Sequence, residues 1–440
     1  MTAPVGVAAW RRAAMTVSML GIATAAGAVM VFLTQVLLAR HMGPTDYGLF
    51  ASSLATVTMI APLAGFGLTQ FRLKVYGVEG WAAHRWLRPS LRFTLVTSLL
   101  AVGIVVLWAL TIAPPDDTRL SLLALSPVIL GILAVNLVSN KLRLEDRYGR
   151  MALTQMLIPG SRLLVAIALL LVPQLTGRFV ALSYGAVSLL VVLWAMPQMR
   201  AMIRGEIDLK GHGPRSEAPA MAACPGIGEL WSQAWAYGVY AALYPIFFQV
   251  STILLKYIQG DSQAGLYAIA LAVMTAIYLI PATIYQKFLL GKLHRWAAHD
   301  KPKFWLVYRR GNVAMLALGL AISAGMALLG PWLVPLVFGE EYRGVVAILM
   351  VLALCPPIRF LSTAMGSALL TGDHMRFRVY AMALATVAAI TGNVLLIPAF
   401  GEMGAAWATV AAETVLLLGT GYGVRRFTRI QRADANSGRR

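Results

Sequence analysis

Three ionisable side chains of this 440-residue chain lie deep inside long apolar runs: Arg162, Arg359 and Glu413. A charge at the centre of a lipid bilayer costs about 2.5–3.5 kcal/mol even on the lenient insertion scale, so each needs a chemical reason to be there. The two arginines share a local design: Pro159-Gly160-Ser161 precedes Arg162 and Pro356-Pro357-Ile358 precedes Arg359, each cation three residues after a proline. Proline removes a backbone donor and kinks a helix, and an interrupted helix beside a midplane charge is the sequence signature of a transporter site. Guanidinium stays protonated when dehydrated and offers paired planar donors to phosphate oxygens, so the pair suits a diphosphate. The competing reading is a structural ion pair of Glu413 with one arginine. A single glutamate fully neutralises at most one of them, and an anionic ligand could supply the counter-charge of the other.

These residues require elements that hold them in a membrane, and the composition provides them. The chain is 59% apolar and 12% charged, with a mean hydropathy of +0.72, far from the usual soluble balance. Its apolar residues form unbroken blocks of roughly twenty, the length that crosses about 30 Å of hydrocarbon as a helix, which argues against a barrel. Twelve segments emerge, at 15–38, 48–70, 91–113, 119–140, 151–173, 178–199, 231–255, 264–286, 311–333, 344–370, 378–398 and 403–424. The N-terminus reads as a retained first helix, because its apolar run is too long for a signal peptide.

Counting span-end residues with the adjoining loop, the termini and even-numbered loops hold 30 of the 37 Lys and Arg, and the odd-numbered loops five. That asymmetry places both termini in the cytoplasm. It also explains the net charge of +19 without nucleic acid. The expected organisation is a six-helix lobe over 1–199, a cytoplasmic linker over 200–230, a second six-helix lobe over 231–424 and a basic tail over 425–440. Loops mixing aromatics and cations (Trp81, His84, Arg85 and Trp86; His294, Arg295, Trp296 and Trp305) read as short helices at the headgroup level. Cys224 and Cys355 form no metal or redox pattern, and no HExxH, P-loop, nucleophile-elbow or paired-carboxylate motif lies in a usable context, so no cofactor and no enzyme chemistry are expected.

An internal repeat underlies the two lobes. Shifted by 217 residues, HMGPTDYGLFASS (41–53) overlies IQGDSQAGLYAIA (258–270), matching Gly43 to Gly260, Gly48 to Gly265 and Phe50 to Tyr267. WAAH at 81–84 returns at 296–299 with nearly the same offset. Repeats of six spans share one orientation, which gives a pseudo-two-fold along the membrane normal. Lys256, which ends the leading span of the second repeat, is either a snorkelling cation or a cation presented to an anionic ligand at the outer side.

The stretches LLARHMGPTDYGLF, GFGLTQFR (65–72), FGEEYRGVVAILMVLA (338–353) and NVLLIPAFGEMGAAWAT (393–409) resemble, in this order, the Wzx-like oligosaccharide flippases of polysaccharide biosynthesis. That family belongs to the superfamily that includes MATE multidrug exporters and lipid II exporters. The resemblance implies a MATE-like all-α membrane protein of the bacterial inner membrane, moving undecaprenyl-pyrophosphate-linked oligosaccharide to the outer leaflet by alternating access. It implies roles for Arg40 and Arg72, whose positions match basic residues of the family pattern. Polysaccharide polymerase and chain-length regulators are the partners such a flippase would have. Ion-coupled relatives use carboxylates for protons or sodium; here the first six apolar segments hold no Asp or Glu, leaving Glu413 as the candidate coupling group. A drug/cation antiporter of the same fold is the alternative, although cationic substrates want a buried acid. A sugar polymerase or ligase is the other, although such enzymes carry a large outer loop and every outer loop here is short.

Overall fold

In the computed structural model the described residues are 7–172, 176–210, 225–289, 293, 296, 300–371 and 375–437. Cys224, His294, Arg295 and His299 lie outside them, as do residues 211–224 of the expected linker and 438–440 of the tail. No strand occurs among the described residues. The helices are α1 (Val7–Ile60), α2 (Leu68–Glu79), α3 (Leu87–Thr111), α4 (Asp117–Leu125), α5 (Val128–Leu144), α6 (Tyr148–Leu171), α7 (Gly177–Ile203), α8 (Ile227–Gln259), α9 (Asp261–Ala282), α10 (Lys301–Phe338), α11 (Val345–Leu352), α12 (Cys355–Thr371) and α13 (Met375–Ser437).

The described residues of the twelve apolar segments fall on helical backbone with short breaks. Among the described residues eight helical runs are long and apolar enough to cross a membrane, or nine if the bent pair α11–α12 is one span. Of these runs Met19–Thr111 carries three of the segments and Arg376–Arg426 two, so nine runs are consistent with twelve crossings. Large apolar side chains such as Leu164, Leu171 and Trp332 are exposed, as lipid-facing residues would be.

The chain divides into two compact units, one of Met1–Met42 with Ser53–Pro245, the other of Gly43–Ser52 with Ile246–Arg440. In the first, α5 packs against α6 and α7, and α7 also against α4. Its best-defined core lies at the end carrying α2: Leu68, Phe71, Val75, Tyr76, Trp86 and Leu87 are buried together with Leu137 and Leu230. Trp86, expected at the headgroup level, is fully buried here. It stands edge-on to Phe71 at 5.3 Å between ring centres, and its indole N–H donates to Glu79 at 3.2 Å. The 3-10 helix Gly80–Trp86 folds the loop back so that its last aromatic enters the core rather than the lipid surface. Trp296 lies against the Lys303 ammonium, 5.3 Å from ring centre to Nζ.

The first part of the expected linker is docked on this unit. α7 runs to Ile203, and residues 206–210 then alternate, with Ile207 and Leu209 buried and Glu206, Asp208 and Lys210 exposed. The Lys210 N–H donates to the Leu144 carbonyl at 3.2 Å. A segment with two-residue periodicity buries every second side chain.

In the second unit α10 packs on α12 and α12 on α13. The repeated stretch acquires a structural reason here. Gly43 breaks α1 with φ 71° and Gly260 precedes α9 with φ 101°, both in a region that favours glycine. Pro44 then opens the next helical stretch, a position where its missing donor is harmless. Gly48 and Gly265 lie backbone to backbone: a Cβ on Gly48 would be 1.8 Å from the Asp261 carbonyl oxygen, and one on Gly265 would be 2.1 Å from that of Pro44. Pro44 and Asp261 are themselves related by the 217-residue shift, so the two contacts are reciprocal.

Candidate functional site

The arginines that the sequence singled out have different surroundings. Arg162 sits on α6, which runs unbroken through Pro159, contrary to the expected interruption. One interior proline removes a single hydrogen bond and need not end a helix whose other bonds persist. The Arg162 guanidinium carbon lies 4.9 Å from the centre of the Tyr184 ring on α7. Tyr184 is buried, and Nη2 of Arg162 has no hydrogen-bond partner. No carboxylate lies within ion-pair distance of Arg162 among the described residues. A desolvated cation–π contact is worth about 2 kcal/mol, which leaves part of the cost of an intramembrane charge uncovered.

Arg359 is the opposite case. Here the helix is interrupted: α11 and α12 meet at a 42° bend, and Pro356 and Pro357 occupy the first turn of α12, where prolines are tolerated. One turn on, Nη1 of Arg359 stands 3.4 Å from each Glu413 oxygen. Arg359 is 8% exposed and Glu413 0%. Three rings close around the guanidinium, Phe248 at 4.9 Å, Tyr278 at 5.4 Å and Phe247 at 6.0 Å. The structural ion pair is therefore formed, and it uses Arg359. Sequence reasoning missed these aromatics, which come from α8 and α9 and carry no charge to mark them. The same three rings wall a pocket that also reaches Tyr267 and Thr409, whose hydroxyls are 2.7 Å apart. Cys355, given no role from sequence, is buried on the same turn of α12.

Arg72 is 1% exposed on α2, with Nε and Nη1 lacking partners. The GFGLTQFR turn explains its burial. Phe66 and Gly67 adopt φ of 40° and 66°, Phe66 stacks on Trp231 of α8 at 5.3 Å, and Gly67 presses so close to Tyr237 that a Cβ would lie 2.4 Å from its carbonyl carbon. The turn thus clamps α2, and Arg72 with it, into the unit's core.

The remaining candidates are placed differently. Lys256 is occupied, its Nζ 2.5 Å from Asp261. Arg40 is exposed near the end of the helical stretch before Gly43. Of the uncharged polar residues in the spans, Asn136 and Gln155 are exposed, while Asn393 is fully buried and donates to its own helix at Ala389, 2.7 Å. A second buried pair, Lys141 with Glu145 at 2.9 Å and Gln198 at 3.0 Å, ties α5 to α7. No cluster of metal-ligating side chains occurs among the described residues.

Residues 14–289 match the family described as polysaccharide biosynthesis protein. No curated protein sequence matches the chain. Among solved structures, the chain is similar to the lipid II flippase MurJ in an inward closed conformation, at 12% identity and a TM-score of 0.70 over 92% of this chain and 87% of that one. It is equally similar to an inward-facing MATE multidrug resistance transporter of the MOP superfamily, at 11% identity and a TM-score of 0.70 over 92% and 96%. A eukaryotic MATE transporter aligns over 94% and 95% at 14% identity, with a TM-score of 0.60. The fold is the one these transporters share, all-α and membrane-spanning.

Proposed function

The chain belongs to the polysaccharide biosynthesis protein family, and from that premise we propose that it flips a polyprenyl-diphosphate-linked oligosaccharide across the bilayer. Undecaprenyl pyrophosphate is the carrier, the bacterial inner membrane is the location, and the direction is from the cytoplasmic to the outer leaflet, with both termini in the cytoplasm as the loop charges require. The protein works by alternating access, exposing its site to one leaflet and then the other while the polyprenyl tail remains in lipid. It makes and breaks no covalent bond. Polymerase and chain-length regulators would act on the delivered glycan.

One observation carries this reading: Arg162 is a guanidinium inside a membrane-spanning helix with a tyrosine face on one side and, among the described residues, no carboxylate to neutralise it. A phosphate is the ligand whose charge and paired acceptors match it. Arg72, likewise without a carboxylate partner among the described residues, adds a second cation of the same unit toward the cytoplasmic side. Arg40 and Lys256 are weaker members of the set, one exposed and the other paired with Asp261.

The antiporter alternative needs a buried carboxylate free for a cation, and Glu413 is matched to Arg359. The test is transport by the purified chain in proteoliposomes. A fluorescent short-chain prenyl-diphosphate glycan should be flipped and a lipophilic cationic dye should not. Movement of the dye with no movement of the glycan would reverse the assignment.

A further inference from the structure

The face of α6 that carries Arg162 carries a second polar side chain, Gln155. It precedes Arg162 by seven residues, so two helical turns bring both to one side, about 10 Å apart along the axis. We propose that Gln155 recognises the sugar joined to the diphosphate: with a phosphate on Arg162, its amide hydrogen-bonds the hydroxyls of that neighbouring sugar. This rests on the flippase reading above and adds to it a site for the glycan.

Helix register decides which way this face looks. Leu153, Leu164 and Leu171 are exposed and form one stripe of α6. Leu164 follows Gln155 by nine residues, and Leu171 follows Arg162 by nine. Nine residues make two and a half turns, so the polar pair and the leucines lie on opposite sides of the helix. The leucine stripe suits lipid, whereas an amide turned into hydrocarbon would cost about 4–8 kcal/mol. Gln155 is exposed all the same, so its side of α6 meets water or a polar ligand.

This face is covered at both ends. Met151, one turn before Gln155, is buried with Val138 and Leu142 of α5 and Ala195 of α7. Ala166 and Leu169, one and two turns beyond Arg162, are buried as well. The accessible window between them holds both polar side chains, and Arg162 is steadied there by Tyr184 with its Nη2 unpartnered. The chemistry of the two groups divides a phosphorylated sugar between them. Guanidinium only donates, which suits phosphate oxygens; a neutral amide donates and accepts, which suits hydroxyls that do the same. The amide oxygen gains nothing from a phosphate and nothing from a polyprenyl chain. The uncharged, hydroxyl-rich part of a lipid-linked glycan is the part that fits it.

The experiment is calorimetric titration of the full chain in lipid nanodiscs with two probes, farnesyl diphosphate and the same lipid carrying N-acetylglucosamine on its diphosphate. The wild type should bind the glycosylated probe more tightly. Gln155→Met, of similar length but without hydrogen bonds, should weaken that probe about fivefold and leave farnesyl diphosphate unchanged, while Arg162→Ala weakens both. Gln155→Ala serves if the methionine variant does not accumulate. Asn136, another exposed amide in a span, stands two residues from both Ala134 and Val138, on the side of α5 turned away from Met151. Asn136→Leu should therefore change neither affinity. Equal binding of the two probes by the wild type, or an effect of Gln155→Met that is absent or the same for both, overturns the sugar contact; loss of both probes in Arg162→Ala would then leave the flippase reading standing. Absence of binding by the wild type would sink both. Orientation has its own readout: Gln155→Cys should react with a water-soluble maleimide above the background of the parent chain and Leu164→Cys should not, and the reverse would place Gln155 in lipid and refute the proposal.

Discussion

Replacing Arg162 by alanine should separate transport from stability. In a helix held together by its charges, deleting one weakens both; at Arg162 the structure predicts opposite signs. The substitution removes a cation whose burial in the membrane costs about 2.5–3.5 kcal/mol and a contact with Tyr184 worth about 2 kcal/mol at most. The difference leaves the variant as stable as the wild type or about 1 kcal/mol more stable. Transport should go the other way. A hydrogen bond to a charged group contributes about 1.5–3 kcal/mol, so losing the guanidinium's hold on phosphate lowers flipping by roughly ten- to a hundredfold. Arg162→Lys keeps the charge without the planar fork and should fall between. Proteoliposome flipping of a labelled prenyl-diphosphate glycan measures the first quantity, and thermal unfolding followed by tryptophan fluorescence measures the second. A variant that loses Tm and transport together would make Arg162 a structural residue, and one that flips at the wild-type rate would remove it from the site.

Arg359→Ala should act by a different route, destabilising the protein by about 3–5 kcal/mol because it strands Glu413, while Arg359→Met combined with Glu413→Leu recovers most of the loss; chemical or thermal unfolding in detergent reads both. Gly48→Ala and Gly265→Ala each drive a methyl group into a facing carbonyl and should cost about 1–3 kcal/mol or more, whereas Gly103→Ala, which meets nothing within 4 Å, should keep wild-type abundance in the membrane. Ile207→Asp should undock the segment that follows α7, because about 1.5–3 kcal/mol of side-chain burial is lost, and limited proteolysis between α7 and α8 should then be faster than in the wild type.

Much of the architecture was legible in residue order because a membrane imposes simple rules. An apolar block of the right length must be a helix, since no other local structure satisfies its own backbone polar groups in hydrocarbon. The described residues of the twelve segments therefore lie on helical backbone with short breaks, and the resemblance to Wzx-like flippases is upheld by the family match over residues 14–289. The repeat was visible as Gly43 over Gly260 and Gly48 over Gly265. Its reason was not, because only two chain segments brought side by side reveal that glycine is needed for close approach as well as for the turn.

Where side chains meet was decided by tertiary structure. Residue types alone allowed Glu413 to neutralise either arginine, since an ion pair depends on which helices touch and on their rotation, neither of which leaves a mark in a uniformly apolar sequence. Packing of α12 on α13 gave Glu413 to Arg359 and left Arg162 with the face of Tyr184. The prolines showed the same limit: Pro356-Pro357 coincides with a break and Pro159 does not, because a lone proline leaves enough of the helix's bonds intact. Trp86 looked interfacial and is buried, since an aromatic beside cations carries the same composition whether it faces lipid or core. By itself the sequence determined that charges stand in the membrane, because burying them has a cost that composition exposes. Which of those charges has a partner is a matter of distance between elements far apart in the chain, and only the folded structure sets that distance.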